Sequence, residues 1–305
     1  VQANTITDAL NHAYDIPTLY SGLVIIVFAG LIVMGGLRAI AKFAEWVVPF
    51  MAVTYVMVTL AITFLNIQLV PAMLWDIISS AFGLQEAGAG AMGAAFKHGV
   101  QRGLYSNEAG SGSVPHAAAS ATPNPNHPVS QGYVQMLGVF IDTMILCTCS
   151  AIVILLAGGA SGEGMEGIRL TQDAMSSHLG EVGGDFVAAA ISLFAFTSVV
   201  ANYAYGESNL HMFKLDNKLG RTAYTVGYLL MILWGSMAAL PEVWAMADMA
   251  LGLMTVINIT ALVLMTPTIV SISKDYFAKR DSGKKISYKS GDCEIQGKSK
   301  KGIWD

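Results

Sequence analysis

Residues Arg102–Ser120 read RGLYSNEAGSGSVPHAAAS and lie inside a long apolar region. They combine Arg102, Asn107 and Glu108 with Gly110, Gly112 and Pro115. Charge at membrane depth is costly, and glycine and proline loosen a backbone that needs its internal hydrogen bonds there. The mixture predicts a transmembrane helix broken near Asn107–Ser113, whose unwound amides and carbonyls are open to a ligand. A half-helix starting near Ser113 would turn its positive end toward the break, with Pro115 in its first turn. A carboxylate fits such an end. Glu108 either organises the break, lines an ion path, or is a helix-end carboxylate facing water or Arg102. The six-residue separation from Arg102 is not a helical neighbour spacing, so that pair needs a turn between them.

Ser111 and Ser113 invite a different reading, nucleophilic catalysis. A nucleophile elbow needs glycine two residues before the serine. Ala109 and Ser111 occupy those places, and no H-E-x-x-H zinc motif occurs. The chain is not expected to be an enzyme. Thr197 and Ser198 offer neutral oxygens suited to a hard cation such as sodium, or simply bond back to their own helix. Asp142 is an isolated carboxylate within an apolar segment, either a coupling residue for a cation or proton or a buried carboxyl satisfied by hydroxyls or helix ends. No cofactor is expected.

The elements that must position these groups are membrane helices. Of 305 residues, 54% are hydrophobic and only 12% charged, and mean hydropathy is +0.54. A soluble domain carries about twice that charge. Nine of the 17 basic residues lie beyond position 273 in a short tail, which gives no footprint for nucleic acid. Cys147, Cys149 and Cys293 show no disulfide or zinc spacing and read as small buried hydrophobes. The first residue is Val1 and no signal-peptide pattern precedes the first span, so the chain is expected to lack its natural N-terminus.

Seven spans are predicted. Val1–Leu10 ends one helix. Complete spans follow at Leu19–Leu37, Trp46–Ile67, Gly83–Ala121, Gln131–Ala157, Phe186–Tyr205, Arg221–Leu240 and Val243–Ile272, the last tilted or broken near Gly252 and Asn258. Pro71–Phe82 reads as an interfacial helix anchored by Trp75. Three prolines keep 122–130 non-helical. The loop at 158–184 is Gly-rich and acidic, with a short helix at 167–179. Arg38, Lys42, Lys214, Lys218, Arg221 and the tail fall on one side, while Glu163, Glu166, Asp173, Glu181 and Asp185 face a single Arg169 on the other. The positive side is cytoplasmic, which places the tail (273–305) there. Lys-rich ends of this kind are either solvated or attracted to anionic lipid.

The run KHGVQRGLYSNEAGSGSVPHAAASA, followed by HPVSQGYVQMLGVFIDT, strongly resembles the alanine/glycine:cation symporter family. That family's hallmark is a GxxRGLFSNEAGxGS-type motif, here Gly99–Ser113. The similarity extends through VQAN at Val1–Asn4, FAFTS at Phe194–Ser198 and YGE at Tyr205–Glu207, and covers all but the tail. The resemblance implies an all-α, leucine-transporter-type fold of two inverted repeats, present in part. Residues 1–70 would hold the end of helix 3 with helices 4 and 5, and 71–272 the second repeat. Solute contacts implied by the resemblance are Gln2, Asn107, Gly110, Ser111, Gly112, Ser113 and Asn202. Thr197 and Ser198 fall where the family binds sodium. Tyr105 replaces a usual phenylalanine, Ser111 a common methionine, and Asn202 a tryptophan of some members. These changes imply a more polar or roomier site.

The expected function is sodium-driven import of a small neutral amino acid across the cell membrane, with alanine, glycine, serine and glutamine as candidate solutes. The alternatives are a proton-coupled symporter, and a non-transporting remnant or binding protein motivated by the absent first helices.

Overall fold

A computed structural model describes residues 1–82, 89–108, 110–158, 166–289 and 291–293. The Gly-rich stretch at 83–88, the loop at 159–165 with Glu163, the end of the basic tail and the side chain of Arg38 lie outside the described residues. The described chain is helical. Its elements are α1 (Gln2–Tyr14), α2 (Thr18–Met34), α3 (Gly36–Leu65), α4 (Val70–Ala81), α5 (Ala89–Asn107), α6 (Val114–Ser120) and α7 (Pro128–Phe140). A π-helical segment (Ile141–Cys147) leads into α8 (Thr148–Leu156), and then come α9 (Ile168–Leu179), α10 (Glu181–Met212), α11 (Lys218–Met237) and α12 (Leu240–Asp281). Among the described residues, four stretches are long and apolar enough to cross a bilayer: Lys42–Leu65, Pro128–Leu156, Glu181–Met212 and Leu240–Asp281. These suit a multi-pass integral membrane protein.

Three predicted spans take other forms. Leu19–Leu37 becomes the 17-residue apolar helix α2, Arg221–Leu240 the 20-residue α11, and Gly83–Ala121 the interrupted pair α5 and α6. The last predicted span is not broken near Gly252 or Asn258. It runs from Leu240 to Asp281 through Pro267, and so absorbs residues expected in the tail. Pro241 sits in its first turn, where proline's missing N–H matters least. Pro128 likewise opens α7, three residues before the predicted start, with His127 as its cap. Pro49, four residues into the predicted span Trp46–Ile67, lies well inside α3, which starts earlier, at Gly36.

The chain forms two compact units. In the first (1–99 and 144–248), α1 packs against α10, α11, α2 and α9. It buries Ala3, Ile6 and Thr7 at helical spacing, and Ile25, Ala29, Ala195, Val199 and Ile232 complete that core. A second core joins α3, α4, α8, α9 and α10 through Tyr55, Ile62, Met73, Val153, Met175 and Val187. The predicted short helix is α9, bounded by Gly167 (φ 64°) and Gly180 (φ 70°). It is pinned to α1 by Arg169–Asp8 (2.6 Å), His12–Asp173 (3.0 Å) and Gln172 donating to the Ala9 carbonyl (3.1 Å).

Tyr203, Tyr224 and Tyr228 lock α10 to α11, with the Tyr224 hydroxyl donating to the Tyr203 carbonyl (2.9 Å) and Tyr228 to that of Val199. The glycine of the YGE sequence makes this possible, because a Cβ on Gly206 would collide with the Tyr224 hydroxyl. Alanine is the better helix former by about 1 kcal/mol, but overpacking costs about 1–3 kcal/mol. Gly206→Ala is therefore expected to lower the melting temperature of the detergent-solubilised protein.

The second unit comprises 100–143 and 249–305. Its best-defined knot gathers the start of α7, the end of α12 and residues that follow α12. His127, fully buried, accepts from the Val129 amide through Nδ1 (3.2 Å) and donates from Nε2 to Asp275 (3.2 Å), with Tyr276 and Tyr288 edge-on to its ring. Lys279 joins Asp275 and Asp292 (2.7 Å each), and the Tyr288 amide donates to Asn126 (2.8 Å). The described residues around Tyr288 thus fold back on the 121–127 loop instead of running free as a solvated tail. Cys149 is buried and Cys147 and Cys293 partly so, and none of them is in a disulfide among the described residues.

Candidate functional site

The break predicted from the sequence is present. Helix α5 ends at Asn107, and α6 begins at Val114. Between them the backbone enters the left-handed region at Glu108 (φ 51°), Gly110 (φ 81°) and Gly112 (φ 102°). A side-chain-bearing residue there is strained, so the sequence supplies two glycines and confines the strain to Glu108. Ser111 closes the turn. Its amide (3.1 Å) and its Oγ (2.7 Å) both donate to the Glu108 carbonyl. Ser111 and Ser113 are 2% and 6% exposed, with their hydroxyls 3.1 Å apart.

Two side-chain supports hold the break. On one side is the π segment, where Asp142 Oδ2 accepts from Ser106 (2.7 Å) and Thr143 Oγ1 accepts from the Asn107 amide nitrogen (3.0 Å). The wide π turn brings two consecutive polar residues to the end of α5, a frequent use of π-bulges. Asp142 is partly buried and has a hydroxyl partner in Ser106. On the other side is Asn258 of α12, which donates from Nδ2 to the Gly110 carbonyl (2.9 Å). A Cβ on Gly112 would stand 3.2 Å from that of Asn258.

The break is chemically one-sided. The carbonyls of Glu108, Gly110 and Ser113 are already accepting hydrogen bonds. Among the described residues, the amides of Gly112, Ser113 and Val114 find no acceptor. Amides with no acceptor among the described residues, beside engaged carbonyls, suit an anionic or strongly accepting group. Asn258 came to notice in the sequence only as a place for helix tilt. Its reach across 148 residues has no local signal. Asn258→Ala is expected to cost about 1–2 kcal/mol, the value of a partly buried hydrogen bond, visible as earlier melting.

The remaining predicted residues lie in the first unit. Gln2 opens α1 and is partly buried, as is Asn202 in the middle of α10. Thr197 and Ser198 both donate to the Phe194 carbonyl (2.8 and 3.3 Å). Both hydroxyl protons are thus used within their own helix. Asn4, two residues from Gln2, is buried and donates to the Gly235 and Ala238 carbonyls (2.9 Å each), which fixes the end of α11.

The chain matches known proteins over nearly its whole length. The profile of the Sodium:alanine symporter family covers residues 1–290. A transporter of Escherichia coli, YaaJ, is 42% identical over 288 residues, which is 93% of this chain and 60% of that protein. The probable sodium/glutamine symporter GlnT of Bacillus subtilis is 41% identical, covering 93% of this chain and 59% of its own length. The sodium/alanine symporter AgcS of Methanococcus maripaludis is 36% identical, covering 90% and 60%. The chain thus spans about 60% of the length of the curated relatives it matches. With the family profile spanning nearly the whole chain, the chain belongs to the sodium:alanine symporter family.

Proposed function

We propose that this chain works as a secondary active symporter that moves a small neutral amino acid with sodium. The observation that carries the reading is the glycine-opened break between α5 and α6, where the Glu108, Gly110 and Ser113 carbonyls are engaged and the amides of Gly112–Val114 find no acceptor among the described residues. That polarity suits the solute's carboxylate. Gln2 and Asn202 would contact the rest of the solute, and Thr197 and Ser198 would give neutral oxygens to sodium. Arg102 and Glu108 would organise the break, and Asp142 would couple it to the π segment. Coupling needs no covalent step, because sodium and solute stabilise the same occluded state.

The proposed architecture is the leucine-transporter type, with residues 1–70 ending the first repeat, 71–272 forming the second, and 273–305 on the cytoplasmic side. Candidate solutes are alanine, glycine, serine and glutamine. The polar replacements Tyr105, Ser111 and Asn202 support the larger two, in keeping with a relative named for glutamine. A proton-coupled variant is the second reading. It is favoured by the name of a relative from Bacillus sp. strain PS3, the sodium/proton-dependent alanine carrier protein, 36% identical over 300 residues.

Uptake of labelled alanine into proteoliposomes tests the reading. Accumulation that needs an inward sodium gradient and falls with excess unlabelled serine or glutamine is expected. Sodium-independent uptake that rises at acid external pH would favour proton coupling. No uptake under either gradient would overturn transport.

A further inference from the structure

A cavity of about 320 Å³ opens in the first unit between α1, the start of α2, the start of α9 and the turn from α11 to α12. Its charged lining is Asp8, Glu166 and Arg169. Arg169 commits Nε (3.0 Å) and Nη2 (2.6 Å) to one oxygen of Asp8. The second Asp8 oxygen, the Arg169 Nη1 and the Glu166 carboxylate have no partner among the described residues. The rear wall is fixed, since Asn4 holds the Gly235 and Ala238 carbonyls and Thr7 that of Ser236 (3.1 Å).

We propose that this cavity binds an amino-acid zwitterion at a site separate from the Asn107–Ser113 break. The ligand carboxylate would take the outward Nη1 of Arg169. Its ammonium would lie between Asp8 and Glu166. Asp8 and Arg169 already compensate each other, which leaves the Glu166 carboxylate for a ligand ammonium and Nη1 of Arg169 as a donor for a ligand carboxylate. A small ligand carrying both charges engages both groups at once, and the volume admits one from alanine to glutamine size. Arg169 and Glu166 sit at the start of α9, so an occupied cavity adds ligand-borne links between α9 and α1 beside the existing ion pair.

The inference takes its ligand class from the function proposed above, and its test separates the two. Equilibrium binding of labelled alanine to the purified protein in lipid nanodiscs, with sodium present, should resolve two classes of site. Arg169→Gln and Glu166→Gln should each weaken the looser class by roughly tenfold or more and leave the tighter class unchanged. Glu166→Gln breaks no ion pair, and the unchanged tighter class reports an intact fold in either variant. N-acetylalanine and alaninamide, each missing one charge, should not compete at the looser class. A single class, or two classes indifferent to both variants, overturns the second site and leaves the symporter standing. No bound alanine at all overturns both.

Discussion

Gly112→Ala is expected to abolish most uptake and to lower the melting temperature, with a loss of about 2–4 kcal/mol. Two costs combine. An L-residue at φ 102° is strained by about 1–3 kcal/mol. The new Cβ would also stand 3.2–3.3 Å from Cβ and Cγ of Asn258, closer than comfortable packing. Asn258 must retreat, and its hydrogen bond to the Gly110 carbonyl, worth about 1 kcal/mol, goes with it. Gly110→Ala is the control. Its φ of 81° carries similar strain, but nothing lies within 4 Å of the added Cβ. The difference between the two variants, measured as melting temperature and alanine uptake, isolates the Asn258 contact. Equal effects would show that backbone strain alone matters and that α12 does not brace the break.

His127→Ala is expected to destabilise the second unit by about 2–4 kcal/mol, through loss of a helix cap and of a buried ring. The effect depends on pH in the wild type. The Val129 amide donates to Nδ1, which places the neutral ring's proton on Nε2, toward Asp275. Protonating Nδ1 would turn the cap's acceptor into a donor facing another donor. Burial holds the His127 pKa below its ordinary 6.5, outweighing the pull of the Asp275 carboxylate, while Lys279 adds to the lowering and Asp292 opposes it. The folded value is the lower one, so between it and 6.5 the unfolded chain binds more protons. The stability contributed by neutral His127 is complete above 6.5 and is lost as pH falls through the folded value. Melting at about pH 7.5 and about pH 5.5 should show a drop for the wild type that is smaller in His127→Ala, because the alanine variant has no ring to protonate. A drop of equal size in both would sink the assignment. Protease sensitivity after α12 should rise in the variant at either pH, since Tyr288 loses the ring it packs against.

Hydropathy and small-residue content place most of the helices in the sequence, because a bilayer leaves the backbone few alternatives. The centre of the break is legible for the same reason: Glu108, Gly110 and Gly112 are a poor membrane helix and a good left-handed turn. The supports around it are not legible. Asn258 and Thr143 each make one hydrogen bond to a residue far along the chain, and a single long-range contact leaves no period to detect. Asp142 could be singled out as a charge, but its partner Ser106 could not. Helix ends slip where proline opens a helix, as at Pro128 and Pro241, because a proline signals both a stop and a start. The fold-back after α12 escaped a reading based on charge. Lys279, Asp275 and Asp292 look solvated one by one and become an ion-paired cluster only once Tyr288 anchors the strand.

The π segment Ile141–Cys147 also sets a rule of phase. Each residue of an α-helix turns the chain by about 100°, so a stretch that widens to accommodate extra residues resets which side chains share a face downstream. Upstream of the reset, Ser130 is the buried position of α7; downstream, Cys149, Val153 and Leu156 form one buried stripe. A homologous helix with one residue fewer here would carry that stripe around by about 100° and turn Val153 out of its core. Position-for-position equivalence between this chain and its relatives after residue 147 therefore holds only where the wide turn is kept. The insertion that frees Asp142 and Thr143 for the break is also the residue that keeps the second half of the helix in register.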